Sequence, residues 1–197
     1  MTRDGRARCM MGSLLSRRRY HMVLVGLDAA GKSTLLYQLR FRQYVSTTPT
    51  VGFNYERVRL AAAAGATYDA WDVGGQDKLR PLWRSYTRTT DAIVFVVDSS
   101  DVERLEEAKV ELLRTARSPD SLGVPVSVLA NKSDLPGSGG VDEIERQLGL
   151  AEVLAGRPWS VHSVCAVTGE GLDDAVQQLH AMVVKRRRST CCRTRKK

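Results

Sequence analysis

Cysteine and histidine are scarce in this chain of 197 residues, and their placement argues against several kinds of site. The four cysteines, Cys9, Cys165, Cys191 and Cys192, lie at spacings that fit no metal-ligand pattern. We therefore expect reduced thiols in a cytosolic protein. The three histidines are scattered along the chain, and none pairs with a candidate nucleophile.

Long apolar runs are missing as well. No stretch approaches the roughly 18 apolar residues of a membrane-spanning helix, so we expect no segment to cross a bilayer. The prenylation pattern is absent from the extreme C-terminus, although Cys191 and Cys192 are candidates for palmitoylation.

Acidic residues are almost absent from the two ends of the chain. Residues 1–19 hold six arginines and one aspartate, and residues 185–197 hold eight lysines or arginines and no acidic residue. The part between them carries 16 basic and 21 acidic side chains, and the net charge of the whole chain is +8. We predict a basic N-terminal segment over 1–19, one globular domain over 20–184 and a polybasic tail over 185–197.

The basic ends favour an anionic membrane surface as a partner, because each Lys or Arg near such a surface contributes about 1 kcal/mol. A solvated, disordered end is the simpler alternative, and a tail of this type can also serve as a nuclear import signal. Nucleic acid is not expected as a partner, because no zinc, homeodomain or aromatic-stacking pattern accompanies the charge.

The most informative motif is a glycine-rich loop that follows an apolar run at 22–25 and precedes a helical pattern. It fits G-x-x-x-x-G-K-[ST], in which the glycines let successive backbone N–H groups point at phosphate oxygens. Lys32 is expected to neutralise the β- and γ-phosphates, and the Ser33 hydroxyl to ligate Mg²⁺. The residues expected to contact a nucleoside triphosphate here are Gly26, Leu27, Asp28, Ala29, Ala30, Gly31, Lys32, Ser33 and Thr34.

A second motif indicates which base is bound. Asn131, Lys132 and Asp134 follow a strand-like run, where a carboxylate can accept hydrogen bonds from the guanine N1–H and 2-amino group. Adenine lacks both donors, and a site of this kind can reject such an analogue by roughly 10⁴–10⁵. Cys165 and Ala166, after a further strand, are expected to place backbone amides against guanine O6. An ATP-using phosphotransferase with the same phosphate loop is the alternative.

Four residues between these motifs are suited to sensing and hydrolysing the terminal phosphate. Asp72 is expected to hold Mg²⁺ through water, and the Thr50 hydroxyl to complete the metal shell when the γ-phosphate is bound. The Gly75 amide is placed to bond that phosphate. Gln76 is the predicted catalytic residue, because the corresponding glutamine orients the attacking water in other GTPases.

Together these motifs resemble those of the ADP-ribosylation factor family, within the Ras superfamily of small GTPases. The resemblance covers about residues 21–184, and its most specific parts are Gly-Leu-Asp-Ala-Ala-Gly-Lys, Pro-Thr-Val-Gly-Phe-Asn and Trp-Asp-Val-Gly-Gly-Gln. Residues 85–88 and 106–112, with the basic tail, are most similar to the ADP-ribosylation-factor-like 4 subgroup.

The resemblance implies a monomeric switch that is active with GTP and inactive with GDP, with Mg²⁺ as the metal. An exchange factor, an activating protein and effector proteins are the implied partners, and a nuclear import receptor is a further candidate. The implied location is the cytoplasm and the cytosolic face of membranes, with the nucleus as a second destination. Hydrolysis is expected to be slow without an activator, and a recruitment module with negligible hydrolysis is the alternative.

Strand-like and helix-like segments alternate along the chain, with strands predicted at 53–60 and 92–98 and helices at 32–41, 141–148 and 172–188, among others. This order predicts an α/β domain. We expect the three-layer P-loop GTPase fold, a mostly parallel six-stranded sheet with helices on both faces and the ligand beyond the carboxyl ends of the strands. In the family a hairpin, here residues 53–71, slides in register as the nucleotide changes. Its tip at 61–66 is too rich in alanine to predict where it turns.

Gly12 is the candidate for lipidation. Met11 and Gly12 begin a match to the myristoylation pattern M-G-x-x-x-[ST], but the match lies inside the chain as written. We hypothesise that translation starts at Met11. A single myristoyl chain binds membranes only marginally, with K of about 10⁴ M⁻¹, so the basic tail would supply the second signal.

Overall fold

The computed structural model describes residues 19–194 of the chain. Its strands are β1 (Arg19–Val25), β2 (Phe53–Leu60), β3 (Ala66–Val73), β4 (Ala92–Asp98), β5 (Val126–Asn131) and β6 (Trp159–Ser163). Its α-helices are α1 (Lys32–Phe41), α2 (Trp83–Thr87), α3 (Leu105–Ala116), α4 (Val141–Leu148), α5 (Leu150–Val153) and α6 (Leu172–Thr194). Single 3₁₀ turns lie at Arg80–Leu82, Val102–Arg104 and Pro119–Ser121.

The strands form one sheet in the order β2-β3-β1-β4-β5-β6. Only β2 and β3 pair antiparallel within it, and the other four pairings are parallel. The first six residues of β4 are buried, as expected for a central parallel strand covered on both faces. The predicted fold class is therefore confirmed.

Each face of the sheet carries its own apolar core. Leu36 of α1 and Leu179 of α6 belong to the core on one face, and Leu112 of α3 and Ile144 of α4 to the core on the other. Fully burying one such side chain stabilises the fold by about 1.5–3 kcal/mol. Because helices cover both faces, the carboxyl edge of the parallel strands is left as the place for a ligand.

The helix α6 is longer than the sequence pattern indicates, since we predicted its end at Arg188 and it runs to Thr194. Just before the predicted end, the Arg187 guanidinium lies 4.3 Å from the centroid of the Tyr20 ring, and its Nη2 lies 2.6 Å from Asp91 Oδ2. Within residues 19–194, no helix combines the length and apolar character that crossing a bilayer requires. Gly12 and most of the basic N-terminal segment lie outside the described residues.

The hairpin between β2 and β3 turns over the alanine-rich tip that the sequence left open. Leu60 pairs with Ala66, and the Gly65 amide donates a 3.0 Å hydrogen bond to the Leu60 carbonyl. Ala64 and Gly65 both have positive φ, 54° and 69°, a conformation that glycine adopts at little cost. Ala63 is buried, so the tip packs against the core although it consists almost entirely of alanine.

Candidate functional site

The loop between β1 and α1 borders a cavity of about 350 Å³. Two glycines of the loop are needed for its shape. Gly26, at φ 143°, lies so close to the Val96 carbonyl that a Cβ would collide with it, and Gly31, at φ 91°, lies as close to the Asn131 side chain. The cavity is of a size typical for small-molecule sites. Its lining residues include Asp28, Ala29, Gly31, Lys32, Ser33, Thr34, Thr50, Gly75, Gln76 and Lys132.

Lys32 is a buried cation at the base of this cavity. Its Nζ donates a 2.7 Å hydrogen bond to the Leu27 carbonyl, and only 6% of the residue is exposed. Burial lowers the pKa of Lys32 to about 8, against the opposing effect of Asp72 and Asp28. A phosphate group in the cavity would supply a negatively charged partner for this ammonium.

Three predicted metal-binding groups meet at one point. The Ser33 hydroxyl donates to Asp72 Oδ2 at 2.5 Å and lies 2.7 Å from the Thr50 hydroxyl, which is 3.3 Å from the same carboxylate oxygen. The other carboxylate oxygen, Asp72 Oδ1, is buried and has no hydrogen-bond partner among residues 19–194. Hydroxyl and carboxylate oxygens are the ligands that Mg²⁺ prefers, and the unpartnered oxygen suits a metal-bound water. These residues therefore fit the predicted ion.

Asn54 belongs to the same cluster, although we did not predict it. Its Nδ2 donates to Asp72 Oδ2 at 2.9 Å and lies 3.4 Å from the Thr50 hydroxyl. The residue ends the Pro-Thr-Val-Gly-Phe-Asn motif, which was the available signal. Asn54 lies opposite Asp72 in the β2–β3 pairing, so the hairpin register sets this contact.

The loop after β3 is seated against the phosphate loop. A Cβ on Gly75 would collide with the backbone at Gly26 and Asp28, and the Gly74 amide donates a 2.9 Å hydrogen bond to the Gly52 carbonyl. Gln76 follows, with its side chain exposed beside the cavity. The predicted phosphate sensor and the predicted catalytic glutamine are therefore both at the cavity.

The base-recognition residues are only partly brought together. Asn131 ties two loops, since its Nδ2 donates to the Ala30 carbonyl at 2.8 Å and its Oδ1 accepts from the Ala166 amide at 2.9 Å. Lys132 borders the cavity beside the phosphate loop. Its Nζ lies 2.5 Å from Asp98 Oδ2. Asp134 lines a different cavity of about 500 Å³. Guanine recognition by Asp134 stays a prediction.

The two amides expected to face guanine O6 already have partners within the protein. The Ala166 amide bonds Asn131 Oδ1, and the Cys165 amide donates to the Glu170 carbonyl at 3.1 Å. The O6 contact also stays a prediction, and it requires a shared or rearranged hydrogen bond.

An aromatic cluster joins the β2–β3 hairpin to α2. The ring centroid of Phe53 lies 5.3 Å from that of Trp71 and 5.5 Å from that of Tyr86, and the Tyr55 centroid lies 4.9 Å from that of Trp71. Phe53 is 49% exposed and Tyr55 42%, so the cluster presents apolar area to solvent. Aromatic residues placed this way are typical of protein interaction sites.

The chain is similar in sequence to known proteins over nearly all of its length. The ADP-ribosylation factor family model matches residues 7–183. ADP-ribosylation factor-like protein 4A of Mus musculus is 50% identical over 181 residues, which cover 91% of this chain and 90% of the relative. ADP-ribosylation factor-like protein 4D of Homo sapiens is 52% identical over 86% of this chain and 85% of its own.

A solved structure shares the fold. It is the Arl6 (BBS3) small GTPase of Trypanosoma brucei with the nucleotide analogue GppNp bound, which superposes with a TM-score of 0.77 at 29% identity. The similarity covers 85% of this chain and 99% of that one. The predicted resemblance, including the similarity to the ADP-ribosylation-factor-like 4 proteins, is thus confirmed.

Proposed function

The chain belongs to the ADP-ribosylation factor family, and we propose that it is a GTP-dependent switch that recruits effector proteins to membranes. Members of this family are GTPases that bind GTP and GDP with Mg²⁺, and so does this chain. The proposal concerns what the nucleotide controls: GTP holds the loops before β2 and after β3, and its hydrolysis releases them.

The observation that carries the proposal is the meeting of Ser33, Thr50 and Asp72 at one point. Ser33 lies on α1, Thr50 on the loop that precedes β2, and Asp72 on strand β3. One metal ion bound there would therefore hold three separate segments. Thr50 is the member on a loop, and its hydroxyl is hydrogen-bonded into this cluster. A ligand change at this point can therefore order or release the loop that carries Thr50.

The aromatic cluster of Phe53, Tyr55, Trp71 and Tyr86 supports effector binding at the hairpin. Phe53, Tyr55 and Trp71 lie between Thr50 and Gln76 along the chain, and the Phe53 ring contacts those of both Trp71 and Tyr86. A shift of the hairpin or of the loop after β3 would separate these rings. The exposed apolar surface would then differ between the two nucleotide states, as an effector requires.

Membrane binding is proposed from the basic ends and from Gly12. The myristate hypothesis requires a start at Met11, and mass spectrometry of the native N-terminus tests it. Myristate with the tail at 185–197 would give two weak signals, which stable anchoring needs. From the family resemblance we propose that the chain is a monomer that meets an exchange factor and an activating protein, and from the basic tail that a nuclear import receptor is a further partner. Nucleic acid is not proposed as a partner, because no zinc, homeodomain or aromatic-stacking pattern accompanies the charge.

The test is calorimetry on purified full-length protein with GTP, GDP and ATP, each with Mg²⁺ and with EDTA, preceded by identification of the co-purified nucleotide. We expect guanosine nucleotides to bind with strong preference and Mg²⁺ to strengthen GTP binding. Equal affinity for ATP would overturn the proposed switch. Single-turnover GTP decay then separates a hydrolysing switch from a recruitment module with negligible hydrolysis.

A further inference from the structure

Asp28 lines the nucleotide cavity, and its carboxylate is paired with two arginines that are not among the lining residues. Its Oδ1 accepts a 2.7 Å hydrogen bond from Nη2 of Arg104, and Nη2 of Arg80 lies 3.8 Å from the same oxygen. Arg104 also reaches the Asp28 carbonyl at 3.5 Å. The Asp28 side chain is 45% exposed, so these arginines rather than steric confinement set its direction.

Both arginines are themselves held in place. Glu107 on α3 accepts from Arg104 Nε at 2.9 Å and lies 2.7 Å from Nη2 of Arg80. The Arg80 side chain is only 8% exposed, and its Nε donates a 2.9 Å hydrogen bond to the Gly75 carbonyl. The charged groups therefore form a connected network from the phosphate loop through α3 to the loop after β3, and such networks restrict the motion of their members.

Releasing Asp28 would have an electrostatic consequence inside the cavity. Without Arg104 the carboxylate would lose its closest cation and could turn toward the space where phosphates bind. Two like charges about 4 Å apart repel strongly when water is partly excluded. This repulsion grows with the negative charge of the bound phosphates, so it weakens the binding of GTP more than that of GDP.

We propose that Arg104 is a positioning residue for GTP binding and hydrolysis, because it holds the Asp28 carboxylate on the α3 side of the phosphate loop. Glu107 holds the Arg104 side chain in this position, and Arg80 connects the same network to the Gly75 carbonyl. The hydrogen bond from Arg104 also keeps the pKa of the Asp28 carboxyl below its usual value, so the carboxylate stays charged. The proposal rests on GTP use at this site, the function proposed above.

The test is a mutant cycle on full-length protein. Arg104→Met and Asp28→Ala are made singly and together, with Arg104→Lys as the conservative variant. Lys109→Met is the matched control, because Lys109 lies on α3, the helix that follows Arg104, but pairs with Glu106. For each protein the ratio of GTP to GDP affinity and the single-turnover rate of phosphate release are measured, and thermal unfolding is recorded.

We expect Arg104→Met to lower the affinity ratio and the rate each by about tenfold, a modest value for like charges about 4 Å apart. In the Asp28→Ala background the same change is expected to alter either value by less than about twofold, because the two residues act as a coupled pair. Arg104→Lys should recover part of the loss, and Lys109→Met should behave as wild type. Recovery in the double variant cannot come from a general defect in folding.

Two results would overturn the proposal. One is an unchanged affinity ratio and rate in Arg104→Met, and the other is an equal loss with and without Asp28. A wild-type protein that binds ATP as well as GTP contradicts the proposed function instead, and this measurement comes first.

Discussion

The hydroxyl of Ser33 donates a 2.5 Å hydrogen bond to Oδ2 of Asp72, although 39 positions separate the two residues. Ser33 lies in the first turn of α1, and Asp72 near the end of β3. Parallel pairing of β1 with β3 places Leu24 opposite Asp72, which brings the end of β3 beside the phosphate loop. The predicted metal-binding point therefore exists only once the sheet is assembled.

Replacing Ser33 by Asn is expected to weaken Mg²⁺-dependent GTP binding. The change removes a hydroxyl ligand and crowds Thr50 and Asp72, so the loss should reach at least the 10–100-fold typical of residues that merely support a metal ligand. Titration of a fluorescent GTP analogue with Mg²⁺ and with EDTA measures it. Ser33→Thr is the control, because the motif accepts either hydroxyl. Normal Mg²⁺-dependent affinity in Ser33→Asn would refute the metal assignment.

Gln76→Leu is expected to keep GTP bound but unhydrolysed. Leucine cannot orient a water molecule, and loss of such help commonly costs about 10² or more in rate. GTP affinity should hold, since Gln76 supplies no predicted metal ligand. The measurement is the rate of phosphate release under single-turnover conditions, followed over many hours. Gln147→Leu on α4 is the control. A wild-type rate in Gln76→Leu would show that the glutamine has no catalytic role.

Asp134→Asn is expected to reduce the preference for GTP over ATP. An amide cannot accept hydrogen bonds from two adjacent donors as a carboxylate does, and each such bond to a charged group contributes about 1.5–3 kcal/mol. GTP affinity should fall by about 10²-fold while ATP affinity changes little. Competition against labelled GTP measures both, with Asp142→Asn on α4 as the control. An unchanged preference would mean that the base is read by other groups.

Asp69 and Arg57 are expected to make the stability of the hairpin sensitive to acid. They lie opposite each other in the β2–β3 pairing, with Arg57 Nε 3.0 Å from Asp69 Oδ1. Burial raises the pKa of Asp69, but the hydrogen bonds from Arg57 and Tyr55 outweigh it, so the pKa is lower than usual. The resulting stabilisation is present above the unfolded pKa of about 3.9 and is lost as the pH falls through the lower folded value.

Urea unfolding at several pH values between neutral and acid conditions tests this effect. The free energy of unfolding of wild type should fall more steeply below about pH 4 than that of Asp69→Asn. Arg57→Met should reduce the steepness as well, because it removes the donor that lowers the pKa. Equal pH dependence in all three proteins would contradict the assignment.

Much of the fold could be predicted because its signals are local. The bounds of α1, β2, β4 and α4 match the predicted Lys32–Phe41, Phe53–Leu60, Ala92–Asp98 and Val141–Leu148. The helix α5 was missed, since its four residues follow Gly149 at φ 61° and are too few to show a period. The end of α6 was placed at Arg188 rather than Thr194, because the basic residues at 185–197 show no apolar period from which the helix could be followed.

The sequence alone determined the family and predicted the phosphate loop and the hydroxyl ligands of Mg²⁺, because each depends on residue types at fixed spacing along the chain. Only the tertiary structure decided how Asp28 is held, since Arg80, Arg104 and Glu107 belong to segments that meet through packing. It likewise brought Asn54 to Asp72 through the register of two strands. Ion pairs and cross-strand contacts depend on distance in space, which the order of residues does not encode locally.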